Sequence, residues 1–153
     1  MSNTNPRLII PALGGIYTAL SSFTLPLIRV VTGLFLMPHG AQKLFGAFGG
    51  NPEATANFFR KIGIEPAATM VAAVGVVEFF GGLLLALGLL TRPAAAAIFV
   101  MLTVSWVKVH LANGFFWTSG GYEYPVLWSI VVLGFAIRGG GEYSIDRQIG
   151  KEF

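Results

Sequence analysis

The sequence predicts an all-α integral membrane protein, a bundle of four transmembrane helices with a short amphipathic helix between the first two. Three observations carry that expectation. Of the 153 residues, 54% are hydrophobic and only 11% charged, whereas a soluble domain carries roughly a quarter charged residues. Mean hydropathy is +0.71, and a soluble fold of this size could not cover its surface with so few charges. The apolar residues also fall in long runs, against about 20 residues needed to cross a hydrocarbon core of roughly 30 Å. They lack the alternation of a membrane barrel strand, and open sheet edges cannot be satisfied in lipid.

The chain divides into an N-terminal interfacial segment over 1–22, a four-helix membrane domain over 23–146 and a C-terminal tail over 147–153. In the first segment a single early cation, Arg7, precedes an apolar stretch from Leu8 to Leu20. Pro11, Gly14 and Gly15 break that stretch, and no clear cleavage pattern follows, so it is read as a short interfacial helix rather than a signal peptide. The first span runs from Phe23 to Phe45, interrupted by Arg29, His39, Gln42 and Lys43. A glycine-rich turn leads to Glu53–Ile62, where Phe58, Phe59 and Ile62 stand beside Arg60 and Lys61 as on an interface-lying helix.

The second span starts at Pro66, a residue suited to a helix start, and ends near Leu90, with Glu78 its one charge. Thr91, Arg92 and Pro93 make a tight connection to a third span ending near Ala112. A polar, aromatic loop from Asn113 to Tyr124 precedes the last span, Pro125 to Ile137, which is short for a crossing.

Lys and Arg in short loops set orientation. With both termini on one face, that face carries Arg7, Arg92, Arg138, Arg147 and Lys151, against Lys43, Arg60, Lys61 and Lys108 opposite. The bias places both termini in the cytoplasm and the protein in the cell membrane. Trp106, Trp117 and Trp128 then fall near the outer boundary, as an aromatic belt would. Formal net charge is +3, which suits anionic lipid; no basic cluster with interleaved aromatics suggests nucleic acid. The absence of cysteine excludes disulfides, thiolate metal sites and an iron–sulfur cluster within this chain, and no metal site is expected.

Ionisable groups within spans are costly and therefore mark structure or chemistry. Arg29, Thr32, Gly33, Leu36, His39, Gly40 and Lys43 recur at helical spacing, a face that must look into the bundle. Glu78 shares its face with Gly75, Gly82 and Ala86, small residues that admit a close neighbour. Counted from the span starts, Arg29 and Glu78 fall at similar depth, and they are expected to form a buried ion pair. That pair suits a structural role better than a catalytic one. His39, Lys43, His110 and Asn113 are expected to gather near the outer end, under Tyr122 and Glu123 of the third loop. Such a group could be a ligand pocket lidded by aromatics, or equally a hydrogen-bond network that holds the loops down. Two histidines could ligate a haem, but neither sits in a repeated histidine pattern, so haem is not expected. A quinone needs donors for its carbonyls and an apolar slot, which these residues and the nearby phenylalanines could supply.

The sequence resembles the DoxX family of small membrane proteins. The matching pieces are His39-Gly40 with Gln42-Lys43-Leu44-Phe45-Gly46, Val77-Glu78-Phe79-Phe80-Gly81-Gly82, and Gly88-Leu89-Leu90-Thr91-Arg92. His110 with Asn113-Gly114-Phe115-Phe116, Gly121-Tyr122-Glu123-Tyr124 and Tyr143-Ser144-Ile145-Asp146 complete the set. The resemblance covers Arg29 to Asp146 and implies a four-helix membrane domain associated with quinone-linked redox systems and partner redox proteins. It does not by itself imply catalysis by this chain. The leading expectation is thus a membrane subunit of a redox system, a quinone-linked oxidoreductase subunit, binding a quinone or similar amphipathic molecule at the outer pocket. A non-enzymatic scaffold for soluble redox enzymes and a small transporter stay open, as does a homo-oligomer packed through the small-residue stripe.

Overall fold

The computed structural model describes residues 7–153. Among them, four long helices and two short ones account for the fold, with no strand. Helix α1 spans Gly14–Phe45, α2 spans Pro52–Lys61, and α3 runs over Ala67–Leu87, α4 over Thr91–Asn113. Helix α5 is Glu123–Arg138 and α6 is Ile145–Ile149. Three helices are long and apolar enough to cross a membrane: α1 with its short lead-in from Pro11, α3 and α4. Helix α5 has 16 residues, a length of about 24 Å at roughly 1.5 Å per residue.

The expected boundary at residue 22 is absent from the fold. One unbroken helix starts at Gly14, so residues 14–22 are continuous with the helix of the first span; residues 1–6 lie outside the described part. The physical reason is that Gly14 and Gly15 stand at the helix start, where their flexibility costs little. Pro26 and Pro38 sit inside α1, tolerated because neighbouring helices support the backbone groups they free. At its other end α1 stops on Gly46, whose φ of +65° is the left-handed conformation that ends helices.

Helix α2 forms where it was expected. Asn51 caps it by accepting from the Ala54 N–H at 2.9 Å, Pro52 opens it, and Glu53 and Arg60–Lys61 complement its dipole at either end. Its buried Ala56 and Phe59 dock on Ala67 and Val71 at the start of α3.

Helices α1 and α3 pack backbone to backbone. A Cβ on Gly33 would collide with Gly82 and Ala86, and one on Gly40 with Gly75 and Phe79. The predicted inward faces are present: Arg29, Thr32, Gly33, Leu36 and Gly40 are buried on α1, and Gly75, Glu78, Gly82 and Ala86 on α3. His39 is the departure, lying exposed on α1. Helix α4 packs on α3 and α5 on α4, joined by a core of Leu36, Leu85, Ala95, Ile98, Leu102, Val132 and Phe135. Phe35 of α1 meets Trp128 of α5 at 6.0 Å between ring centres and closes the bundle. Outward, Leu27, Phe35, Leu127 and Ile130 are all more than half exposed, the distribution lipid rather than water accepts.

Both α3 and α4 carry a π-helical turn, at Val77–Gly81 and at Trp106–His110. Such one-turn insertions are frequent at functional sites. The first contains Glu78 and the second ends on His110.

Candidate functional site

The structure assigns Glu78 a different partner from the one expected. Lys43 Nζ donates to Glu78 Oε2 at 2.7 Å and to Oε1 at 3.0 Å, with both side chains largely shielded. The third ammonium donor goes to the His39 carbonyl at 3.3 Å. Helical side chains lean toward the N-terminus, so Lys43 delivers its charge one turn below its own Cα, at the level of Glu78.

Arg29 lies about four helical turns from Lys43 and does not pair with Glu78. The glycine contacts set the α1–α3 register and bring Arg29 to Gly88, where a Cβ would stand 2.6 Å from Arg29 Cζ. Counting depth from Phe23 misplaced Arg29, because the helix begins nine residues earlier, at Gly14. Arg29 is 2% exposed and donates through Nη1 to the Gly140 carbonyl and through Nη2 to the Tyr143 carbonyl, the latter at 3.0 Å. The expected Arg29–Glu78 ion pair therefore does not form.

Beside Arg29, Asp146 accepts from the Leu90 N–H at 2.8 Å, the Thr91 N–H at 2.9 Å and the Thr91 hydroxyl at 2.7 Å. It caps α4 from 55 residues away in sequence. Burial alone would raise its carboxyl. The hydrogen bonds from Thr91 and Leu90, with the charge of Arg29, instead hold it below the ordinary carboxylate value. Together these contacts clasp the segment after α5 onto the α3–α4 turn. The predicted tail boundary at 147 cuts through α6, which spans Ile145–Ile149.

The residues expected to form one outer pocket separate into two groups. His110 Nδ1 lies 2.7 Å from the Gly120 carbonyl, and Asn113 Nδ2 donates to the same oxygen at 3.2 Å. Glu123 accepts from the Trp117 N–H at 3.0 Å, and the Tyr122 ring packs edge-on against Phe115. These four hold down the loop between α4 and α5. Lys43 belongs to the Glu78 pair. The His39 side chain makes no hydrogen bond among the described residues, and only its carbonyl meets Lys43.

The Lys43–Glu78 pair opens instead on a cavity of about 740 Å³ between α2, α3 and α4. Its walls are otherwise mostly apolar: Phe58 and Phe59 from α2, Ile64, Met70, Val74 and Val77 near α3, and Val100, Met101 and Val104 from α4, with Gln42, Thr55 and Ser105 as the neutral polar groups. His39, His110, Asn113, Tyr122 and Glu123 do not line it. Sequence reasoning missed the cavity although each contributor was visible. The amphipathic face of α2 was the available signal, since Phe58 and Phe59, about 100° apart on the helix, make an apolar face wider than the contact of α2 with α3 covers.

A hydrophobic helical bundle enclosing one charged pair beside an apolar cavity defines a small polytopic membrane protein. The DoxX family model matches residues 24–111, and the chain belongs to the DoxX family. A protein of Mycobacterium tuberculosis named "Uncharacterized membrane protein Rv3486" is 34% identical over 135 residues, 81% of this chain and 80% of its own. A Haemophilus influenzae protein is 29% identical over 85% of this chain and 93% of its own. A third relative, "Putative oxidoreductase CatD" of Bacillus subtilis, is 28% identical over 78% of this chain and 82% of its own. No solved structure matches the chain.

Proposed function

We propose that this DoxX protein is a membrane subunit of a redox system and that it binds a quinone, or a similar small amphipathic molecule, against the Lys43–Glu78 pair. The single observation that carries the reading is a shielded ammonium–carboxylate pair on the wall of an otherwise mostly apolar cavity. The volume of about 740 Å³ lies within the roughly 300–1,000 Å³ of small-molecule sites, which pair apolar walls with a few placed polar groups. The residues fit the group. Lys43 can turn its longest hydrogen bond, 3.3 Å to the His39 carbonyl, toward a ligand carbonyl while keeping both bonds to Glu78. Glu78 keeps unused lone pairs and can accept from a ligand hydroxyl or take its proton. Phe58, Phe59 and Met101 offer faces for a ring. When bound, a quinone would supply two-electron, two-proton exchange, with the electrons passing to or from a partner redox protein. The relative named as an oxidoreductase favours the same class of work.

The reading includes four crossings, with α5 as the short fourth, and both termini in the cytoplasm of the cell membrane. The excess of cations in the terminal-face loops supports that orientation.

Extraction of the purified protein with organic solvent, followed by chromatography, tests for co-purified quinone. Titration of nanodisc-held protein with a short-chain quinone, read by tryptophan quenching, measures affinity. Lys43→Met is expected to weaken binding by tenfold or more. Absence of quinone in the extract together with no saturable binding would overturn the proposal.

A further inference from the structure

We propose that the cleft formed by α1, the end of α5 and the C-terminal segment is a binding site for the phosphodiester headgroup of an anionic lipid. A second cavity, about 910 Å³, lies there, lined by Ser21, Ser22 and Leu25 of α1, by Arg138 at the end of α5, and by Arg147 and Lys151. Three carboxylates also border it, but two are committed. Asp146 is held by Leu90 and Thr91, and Glu152 accepts from Arg92 at 3.4 Å and from the Gly140 N–H at 3.3 Å. Arg138, Arg147 and Lys151 make no ion pair among the described residues; with Arg92 offsetting Glu152 and Arg29 offsetting Asp146, these three cations stand against Glu142. Two guanidinium groups and an ammonium beside the Ser22 hydroxyl form a donor set for phosphate oxygens; the Ser21 hydroxyl donates to the Thr18 carbonyl instead.

The occupant is identified as a lipid by what surrounds the charge. Arg138 is the last residue of α5, which puts the cations where an apolar helix ends and headgroups begin. Phe23, Leu27 and Ile137 are each more than half exposed, offering acyl chains a surface that leads away from the cleft. The wall is held in place, since the Tyr143 ring stacks on Phe23 at 5.3 Å and Arg29 grips the carbonyls of Gly140 and Tyr143. The site is independent of the quinone reading and lies on the face of the bundle that carries the Arg29 clasp.

Native mass spectrometry of the full-length protein in detergent, titrated separately with phosphatidylglycerol, phosphatidylethanolamine and glycerol 3-phosphate, tests the proposal. Phosphatidylglycerol is expected to be retained most strongly. Each cation removed should weaken it about fivefold, so Arg138→Gln with Arg147→Gln should lose roughly 25-fold. Arg147→Gln alone, at an exposed position, provides the same test at about fivefold if the double variant folds poorly; its melting temperature should equal that of the wild type. Equal retention of the two lipids, or retention unchanged in the variants, would overturn the site. Glycerol 3-phosphate binding as tightly as the lipid would overturn the lipid as occupant.

Discussion

Lys43 of α1 and Glu78 of α3 meet through two hydrogen bonds, at 2.7 and 3.0 Å, inside a π-helical turn of α3. The extra residue of that turn alters which α3 side chains face α1, and Glu78 is the one presented to Lys43. A buried pair of this kind is costly to break and cheap to replace, because a lone charge has no solvent to return to. Lys43→Met alone is therefore expected to destabilise by about 3–5 kcal/mol, whereas Lys43→Met with Glu78→Leu should recover most of the loss. Thermal melting in detergent measures both; a double variant as unstable as the single would refute this account of the pair.

Filling the cavity should separate binding from folding. Val104→Phe adds a ring on the cavity wall, where Val104 is already part of the lining. Quinone affinity is expected to fall by about tenfold, roughly 1.4 kcal/mol, with the melting temperature changed little. Unaltered affinity would place the ligand elsewhere.

The loop network predicts the opposite result. His110→Ala removes the contact to the Gly120 carbonyl, so amide hydrogen exchange over residues 114–122 should quicken. Quinone affinity should stay as in the wild type, because His110 does not line the cavity. A variant that loses binding with an unchanged loop would return the ligand to the outer pocket.

Asp146 makes stability depend on acidity. Its folded carboxyl titrates below the unfolded value of about 3.9. The stabilisation is therefore complete above that pH and is lost as pH falls beneath it. Asp146→Asn should lower stability by about 2–3 kcal/mol at neutral pH, since it removes charged hydrogen bonds to Leu90 and Thr91. The variant's melting temperature should also fall less steeply than the wild type's between pH 5 and pH 3, on the order of the interval over which an unfolded aspartate titrates.

Gly33 tests the helix register. A Cβ there meets the backbone of Gly82 and Ala86, which has no rotamer to move aside. Gly33→Ala is expected to cost about 1–3 kcal/mol, and Gly134→Ala, with nothing within 4 Å, close to nothing. Equal melting temperatures for the two variants would contradict the packing of α1 on α3.

Much of the membrane fold was legible without coordinates. Hydrophobic runs, the amphipathicity of α2, and the inward stripe of Arg29, Thr32, Gly33, Leu36 and Gly40 all follow from local pattern. The candidate site was legible only in its parts. Lys43 and Glu78 were each marked as polar residues in apolar surroundings, yet they were given different partners. His110, Asn113 and Glu123 were expected to share a pocket with His39 and Lys43, whereas their hydrogen-bonding groups meet the backbone of the third loop.

Composition and periodicity thus determined by themselves that the chain is helical, lives in lipid and turns certain polar residues inward, because those properties depend on a helix and its solvent alone. Which inward residues meet was decided by the tertiary structure. Glycine contacts between α1 and α3 set their relative height, and a shift of a few residues in that register moves a charge by a full turn, from one partner to another.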